Sequence, residues 1–274
     1  MIERIREVAA YRELLRNLVV RDLKVRYRNS FFGFLWALGN PLLMMAVFTI
    51  VFTVLWPQEI HNFPVFILAG LLPWNFFASS LMGSITSITG NSHLIKKVYF
   101  PREVLPASAV LSNAVNFCLA LVALFLVIIL FHVPLTGWLL LLPVMIAVQV
   151  IFSLGVAFFL SAINVFYRDT EVIMDVVMMA LFFMTPVFYP IERLPQSFVA
   201  FGIDLPVQRL MYVVNPMASL IASYRSILYG SYNGGPPGPP ALDFFLRTAA
   251  TSVIFFVAGY LFFAHRSKRF GEEV

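Results

Sequence analysis

Long uncharged apolar stretches alternate with short polar connections along this chain. A helix needs roughly 20 apolar residues to cross a bilayer core of about 30 Å. The stretches that meet or approach this length are Gly33–Trp56, Phe63–Thr89, Val104–Phe131, Trp138–Val165, Val172–Tyr189 and Phe244–Ala264. The fifth is the weakest, because Asp175 lies near its start and Pro186 and Pro190 interrupt its end. The pattern predicts an all-α integral membrane protein with six transmembrane helices.

The N-terminal segment Ile2–Val19 has a different, helical period. Its apolar positions form one stripe, at Ile2, Ile5, Val8, Tyr11, Leu15 and Leu18. Charged side chains lie mostly off this stripe, which is typical of an amphipathic helix in the plane of the membrane interface. Such a helix serves either as a simple anchor or as a docking site for a partner, and the pattern leaves both open.

A second short helix is predicted before the last stretch. Asn215 is a favourable N-cap, Pro216 suits the first helical position, and Gly230 closes the helix. Its apolar stripe comprises Met217, Leu220, Ile221, Tyr224 and Leu228. The sequence SYNGGPPGPP that follows indicates a linker. We expect short re-entrant or gate helices in this region, acting either as a cap over an exit or as passive packing.

The composition agrees with a membrane protein. Of 274 residues, 60% are hydrophobic and 12% are charged, against roughly 45–50% and 25% in soluble domains. Lipid must therefore solvate part of the apolar surface. The single cysteine, Cys118, excludes a disulfide within the chain and a cysteine-based zinc site.

The 19 lysines and arginines are distributed unevenly between the two sides of these predicted spans. Fifteen fall on one side, at Arg4, Arg6, Arg12, Arg16, Arg21, Lys24, Arg26, Arg28, Lys96, Lys97, Arg102, Arg168, Arg266, Lys268 and Arg269. The other four are Arg193, Arg209, Arg225 and Arg247. By the positive-inside rule, both termini lie in the cytoplasm and the protein is a multi-pass protein of the inner (plasma) membrane. The basic residues border apolar spans rather than forming a patch, so nucleic acid is not an expected partner.

We therefore expect a single transmembrane domain over residues 1–274. Its parts are a cytoplasmic interfacial helix (1–28), spans one to five (29–190), an external gate region (191–243), span six (244–264) and a cytoplasmic tail (265–274).

Several catalytic motifs are absent from the sequence. It contains no GxxxxGK[ST] phosphate loop, no HExxH and no GxSxG, and its four histidines have no metal-ligand spacing. A membrane-embedded transferase for lipid carriers would need clustered His, Asp or Glu, and only Asp169, Glu171 and Asp175 lie together. We expect no metal, no cofactor in this chain and no enzymatic activity of its own.

An ordered set of strings resembles one family. The strings are RDLKVRYRNSFFGFLWALGNPLL (21–43), AGLLPWNFFA (69–78), LIKKVYFPREVLP (94–106), INVFYRDT (163–170), TPVFYP (185–190) and NPMASLIASYRSILYG (215–230). Together they resemble the permease subunits of type-2 ABC exporters for polysaccharides, the group that handles O-antigen, capsule and teichoic-acid polymers.

The resemblance implies a homodimer bound to two cytoplasmic ATPase subunits, with ATP and magnesium on those partners and a lipid-linked polysaccharide as cargo. A permease for a drug or lipid is the alternative. The resemblance also implies docking of the ATPase through Ile2–Arg28 and Ser92–Arg102. The docking candidates are Arg21, Lys24, Arg26, Lys96, Lys97, Tyr99, Phe100, Arg102, Arg168 and Asp169. A basic, topology-setting loop with interfacial aromatics is the simpler interpretation of the second segment.

In this family the first and fifth spans line the translocation path at the dimer interface. The corresponding candidates here are Trp36, Phe48, Phe52, Trp56, Met178, Phe182, Phe183, Phe188 and Tyr189. Aromatic rings suit sugars, because the C–H face of a pyranose packs on a ring while its hydroxyls remain hydrated. An aromatic belt facing lipid is the alternative, which the mid-span positions of Phe48 and Phe52 fit poorly.

Overall fold

The computed structural model describes residues 10–28, 33–98, 100–200 and 203–273. Over these ranges the regular secondary structure is helical apart from one short hairpin. The α-helices are α1 (Arg12–Tyr27), α2 (Trp36–Ile50), α3 (Phe63–Ile85), α4 (Ser92–Lys97), α5 (Val104–Leu130), α6 (Leu142–Phe166), α7 (Thr170–Met184), α8 (Val207–Val214), α9 (Pro216–Leu228), α10 (Leu242–Arg266) and α11 (Phe270–Glu273). The strands β1 (Phe198–Ala200) and β2 (Ile203–Leu205) pair antiparallel, with Phe198 opposite Leu205.

Five helical segments of the described chain are long and apolar enough to cross a membrane. They are Trp36–Leu55, Phe63–Ile85, Val104–Leu130, Gly137–Phe166 and Leu242–Arg269. The first continues α2 through a π-helical turn at Val51–Leu55, and the fourth begins with a 3₁₀ turn at Gly137–Leu141. These five segments agree with five of the predicted stretches.

The fifth predicted stretch forms a shorter helix. α7 contains 15 residues, or about 22 Å of helix, and ends before Thr185, Pro186 and the segment that follows. The helix begins at Thr170 after Asp169, but the Asp169 side chain makes no capping hydrogen bond. The helix lengths therefore identify five candidate spans rather than the six expected.

α3 is the centre of the bundle. It packs against α2, α5, α6, α7 and α9, and most of its side chains are buried. Two polar side chains of α6 bind its backbone: the Gln149 amide donates to the carbonyl of Pro73 at 2.7 Å, and the Asn164 amide donates to the carbonyl of Ile85 at 2.9 Å. The second bond satisfies one of the carbonyls left unpaired at the C-terminus of a helix.

α6 and α10 cross at two glycines. A Cβ placed on Gly155 would lie 2.5 Å from the backbone of Phe255, and one on Gly259 would lie 2.0 Å from the carbonyl oxygen of Gly155. Both distances are shorter than any normal contact, so these positions need glycine. Small residues that let backbones approach closely are typical of helix contacts within membranes.

The basic end of the bundle, defined here as α1, α4, residues 100–102, residues 168–169 and residues 263–273, has its own small core. Leu18 of α1, Phe100, Phe263 and Phe270 are buried together there, and Tyr11 and Leu15 pack against them. The N-terminal helix extends to Tyr27, eight residues beyond the amphipathic segment Ile2–Val19 and within the segment 1–28 expected to form the interfacial helix. Its Ile2, Ile5 and Val8 lie outside the described residues. The rest of its apolar stripe contacts protein.

The region between α7 and α10 contains the predicted second helix. α9 begins at Pro216 with Asn215 as N-cap, whose side chain accepts hydrogen bonds from the backbone N–H groups of Met217 and Ala218. Gly230 has a φ of +95°, as expected for a residue that ends a helix. The Gly/Pro-rich linker is held in place, because the N–H of Gly238 donates to the carbonyl of Ser226 at 2.8 Å and the N–H of His61 donates to that of Tyr232 at 3.0 Å.

Candidate functional site

An aromatic cluster joins the ends of α2 and α7 that lie opposite the basic end. The rings of Phe48 and Phe52 are parallel to within 3°, with centroids 6.2 Å apart, and Phe52 stacks on Phe188 at 5.8 Å. Phe188 also contacts Phe182, Phe183 and Tyr189, at 5.8, 5.8 and 5.1 Å. The fold thus brings six of the nine candidate lining residues into one continuous array.

The other three candidates lie elsewhere. Trp56 follows the π-helical turn and is 71% exposed. Trp36, at the opposite end of α2, lines a polar cavity with Arg26. Met178 is buried within the bundle core.

The segment that carries Phe188 and Tyr189 is held by a buried arginine. Arg225 of α9 donates to the carbonyl of Pro186 at 2.6 Å, to that of Val187, and to those of Tyr189 and Phe66 at 3.4 Å each. Its guanidinium also lies 3.6 Å from the centre of the Phe66 ring. One side chain therefore satisfies several carbonyls of a non-helical segment.

Arg225 and the carbonyls it binds are called the Arg225 clamp here. Two further residues support this clamp. The Asn215 amide donates to the Thr185 hydroxyl oxygen at 2.8 Å, so the N-cap of α9 also holds the start of the segment. A Cβ on Gly70 of α3 would lie 2.6 Å from Arg225 Nη2 and 2.9 Å from the carbonyl oxygen of Val187. Glycine at this position makes room for the guanidinium.

Sequence reasoning did not identify this role of Arg225. The available signal was the position of Arg225, four residues after Ile221 and beside Tyr224 on the apolar stripe of α9. An arginine at the edge of a buried stripe has to find partners inside the protein, since an unpaired buried charge is costly.

The docking candidates at the basic end divide into exposed and inward-facing residues. Lys96 and Lys97 of α4 are exposed, as are Arg168 and Asp169 before α7. Phe100 belongs to the buried core, and Arg102 donates to the carbonyl of Ser267 while its guanidinium lies 5.9 Å from the centre of the Phe270 ring. Tyr99 lies outside the described residues. Lys96 and Lys97 thus provide the free positive charge of this loop, while Phe100 and Arg102 fix its shape.

The three candidates on α1 differ from one another. Arg21 pairs with Asp22 at 2.9 Å and donates to the Asn91 side-chain oxygen at 3.3 Å, which links α1 to the turn before α4. Lys24 is exposed. Arg26 donates to the side-chain oxygen of Asn113 on α5 at 2.9 Å.

The fold and these two sites define a multi-span α-helical membrane protein with a basic end and an aromatic array at the opposite end. Residues 13–229 match the family described as ABC-2 type transporter. The chain belongs to this family, as the resemblance predicted.

Three relatives illustrate the match. The chain is 39% identical over 275 residues to an O-antigen export system permease protein of Myxococcus xanthus, covering 100% of both chains. It is 33% identical to a protein of the same description from Klebsiella pneumoniae, covering 78% of this chain and 80% of the relative. It is 22% identical to a polysialic acid transport protein of Escherichia coli, covering 66% of this chain and 71% of the relative.

The Arg225 clamp generates a stability prediction for α3. We expect Gly70→Ala to lower the midpoint of thermal unfolding in detergent by several degrees, because overpacking costs about 1–3 kcal/mol. Gly83→Ala on the same helix is the matched control, since its Cβ would lie 3.8 Å from its nearest neighbours. Equal midpoints for the two variants would contradict this account of Gly70.

Proposed function

We propose that this chain is the membrane permease of an ATP-driven exporter that moves a lipid-linked polysaccharide from the cytoplasmic to the outer face of the inner membrane. The observation that carries the proposal is the full-length similarity, at 39% identity, to an O-antigen export permease. Two cytoplasmic ATPase subunits carry ATP and magnesium, and the permease has no cofactor of its own.

In the proposed topology the chain crosses the membrane six times and both termini are cytoplasmic. α7 supplies about 22 Å of the fifth crossing, and the apolar segment 185–190 supplies the rest. Irregular backbone at membrane depth is tolerated where protein satisfies its polar groups, and Arg225 does this for the carbonyls of Pro186, Val187 and Tyr189. α1 lies along the cytoplasmic interface and α9 is a re-entrant gate helix.

The translocation path runs between two copies of the chain. α2 supports this because one of its faces is exposed: Leu43, Met44 and Val47 are 56%, 46% and 56% exposed and are available to a second subunit or to lipid. α7 exposes Val172, Val176 and Met179 in the same way. The aromatic array at the ends of these two helices lines the path, and its uncharged rings let a sugar chain slide without trapping it.

Coupling to the ATPase takes place at the basic end. Lys96, Lys97, Arg168 and Lys24 are the exposed cations proposed to contact it, with Arg21 and Asp169 beside them. Phe100 and Arg102 hold the loop to the core around Phe270. A movement of the loop caused by the bound ATPase is therefore transmitted to α5 and to the C-terminal end of α10.

A drug or lipid as cargo is the second candidate. The observation that favours it is an apolar cavity of about 460 Å³ lined by Met174, Met178, Met184, Met211 and Met217, among others. Flexible methionines are typical of surfaces that accept varied apolar ligands.

The proposed topology predicts which ends can be labelled. In a Cys118→Ser background, Ser197→Cys should react with a membrane-impermeant maleimide in spheroplasts, because residue 197 lies outside. Glu273→Cys should react only after the membrane is permeabilised. Labelling of the Glu273→Cys variant in intact spheroplasts would overturn the six-span topology.

The docking proposal predicts an effect of charge reversal. The double variant Lys96→Glu/Lys97→Glu should weaken binding of the partner ATPase at least about tenfold, because charge complementarity is lost across the interface. Binding is measured by co-purification of the membrane protein with its candidate ATPase. Arg209→Glu, an exposed position on α8, is the control for charge reversal away from the basic end and should leave binding unchanged; equal loss in both would reject the docking surface.

The export proposal predicts that the ring of Phe52 is needed for a sugar cargo. Phe52→Leu keeps an apolar side chain but removes the ring, and we expect surface polysaccharide to fall several-fold in a strain that depends on this permease. Phe159→Leu, at a 42% exposed ring on α6, is the control. Normal polysaccharide with impaired efflux of an apolar compound would instead favour the second candidate.

A further inference from the structure

A polar cavity lies within one subunit, between α1, the start of α2, and the middle of α3 and α5. Its volume is about 370 Å³, within the range of roughly 300–1,000 Å³ common for small-molecule sites. Four asparagines reach it from three helices, namely Asn40, Asn75, Asn113 and Asn116. This concentration of amides inside an otherwise apolar bundle requires an explanation, because polar groups at membrane depth are costly and are usually functional.

Hydrogen bonds fix part of the cavity wall. Arg26 Nη2 donates to Asn113 Oδ1 at 2.9 Å, and the Tyr27 hydroxyl donates to Asn116 Oδ1 at 2.8 Å. The Asn113 amide in turn donates to the carbonyls of Ala109 and Ser79, at 2.8 and 3.2 Å. The C-terminal turn of α1 is therefore tied to α5 and α3, and the cavity is formed before any ligand arrives.

Several hydrogen-bond donors remain for a ligand. Asn116 Nδ2 is buried and donates to no protein atom, which is unfavourable unless something else accepts from it. Arg26 has five N–H donors, and one of them contacts Asn113. The half-buried Asn75 and the exposed Asn40 add their amides to the same space. A ligand rich in acceptor oxygens would satisfy these donors.

The positive charge of the cavity lining favours a ligand with anionic oxygens. Among its lining residues that the structure describes, Arg26 is positive and none is acidic. A guanidinium binds phosphate oxygens through paired hydrogen bonds, which are roughly twice as strong as those between neutral groups. The lining therefore favours a phosphate-bearing group.

The remaining walls are apolar. Leu72, Phe76, Phe117 and Ala120 lie deeper along α3 and α5, while Tyr27 and Trp36 lie at the basic end. Tyrosine and tryptophan are enriched where a membrane meets water. We propose that this cavity binds the phosphate headgroup of a lipid from the adjacent, inner leaflet, with Arg26 and the asparagine amides on the phosphate oxygens. The proposed function enters only through the leaflet and through one source of the lipid, namely a carrier lipid of the cargo that bears a phosphate or pyrophosphate.

Binding to the purified permease without its ATPase tests this directly. The probe is farnesyl pyrophosphate, and farnesol, which lacks the pyrophosphate, is its matched control. We expect native mass spectrometry to show retention of farnesyl pyrophosphate but not of farnesol. Arg26→Gln should weaken retention at least about tenfold, and Asn75→Leu several-fold, while Arg28→Gln, outside the cavity lining, should leave it unchanged.

The outcomes separate the possible lipids and are independent of export. Equal retention by the Arg26→Gln and Arg28→Gln variants, or equal retention of farnesol, would overturn the site even if polysaccharide export is normal. Retention of dioleoyl phosphatidylglycerol as strong as that of farnesyl pyrophosphate, and equally dependent on Arg26, would support the site with bulk phospholipid as its source. Preference for the pyrophosphate would support it with a carrier lipid as its source, whether or not the export test succeeds.

Discussion

The structure depends on hydrogen-bond donors for the backbone carbonyls of a non-helical segment that lies inside an apolar bundle. Arg225 meets this constraint at the most demanding point, where the chain turns from α7 into 185–190 and the carbonyls of Pro186, Val187 and Tyr189 have no helical partner. An unsatisfied carbonyl in such surroundings costs several kcal/mol. Gly70 leaves the space for the guanidinium, and Asn215 holds Thr185 while capping α9.

Polar side chains of other helices also contact the backbone of α3, which connects both ends of the molecule. Near one end Gly70 faces Arg225, in the middle Pro73 accepts from Gln149, and at the other end Ile85 accepts from Asn164. The two hydrogen bonds join α3 to α6 at separate points, and together with the close contact at Gly70 they leave little freedom for α3 to move alone. A rigid α3 provides a frame against which the less buried α2 and α7 can change position.

The aromatic array and the basic end are therefore connected through protein rather than through lipid. Phe48 and Phe52 extend from α2 and meet Phe188 on the segment that Arg225 holds. At the other end, Arg26 and Tyr27 bind α5 just before α2 begins. Any movement of α1 caused by a docked partner would reach α5 directly, beside the cavity proposed to hold a lipid phosphate.

The sequence by itself determined the elements that depend on local composition: the places of five apolar spans, the Asn215–Pro216 start of α9 and its end before Gly230. The resemblance to a known family, together with the aromatic residues inside two spans, placed Phe48, Phe52 and Phe188 among the lining candidates. Only the tertiary structure decided the partners of isolated polar residues. Helix packing decides whether Arg225 faces water or backbone carbonyls, and whether Phe100 is exposed or buried. It also decides whether four asparagines from three helices share a cavity. The reason is that packing brings together residues whose separation along the chain carries no periodic signal.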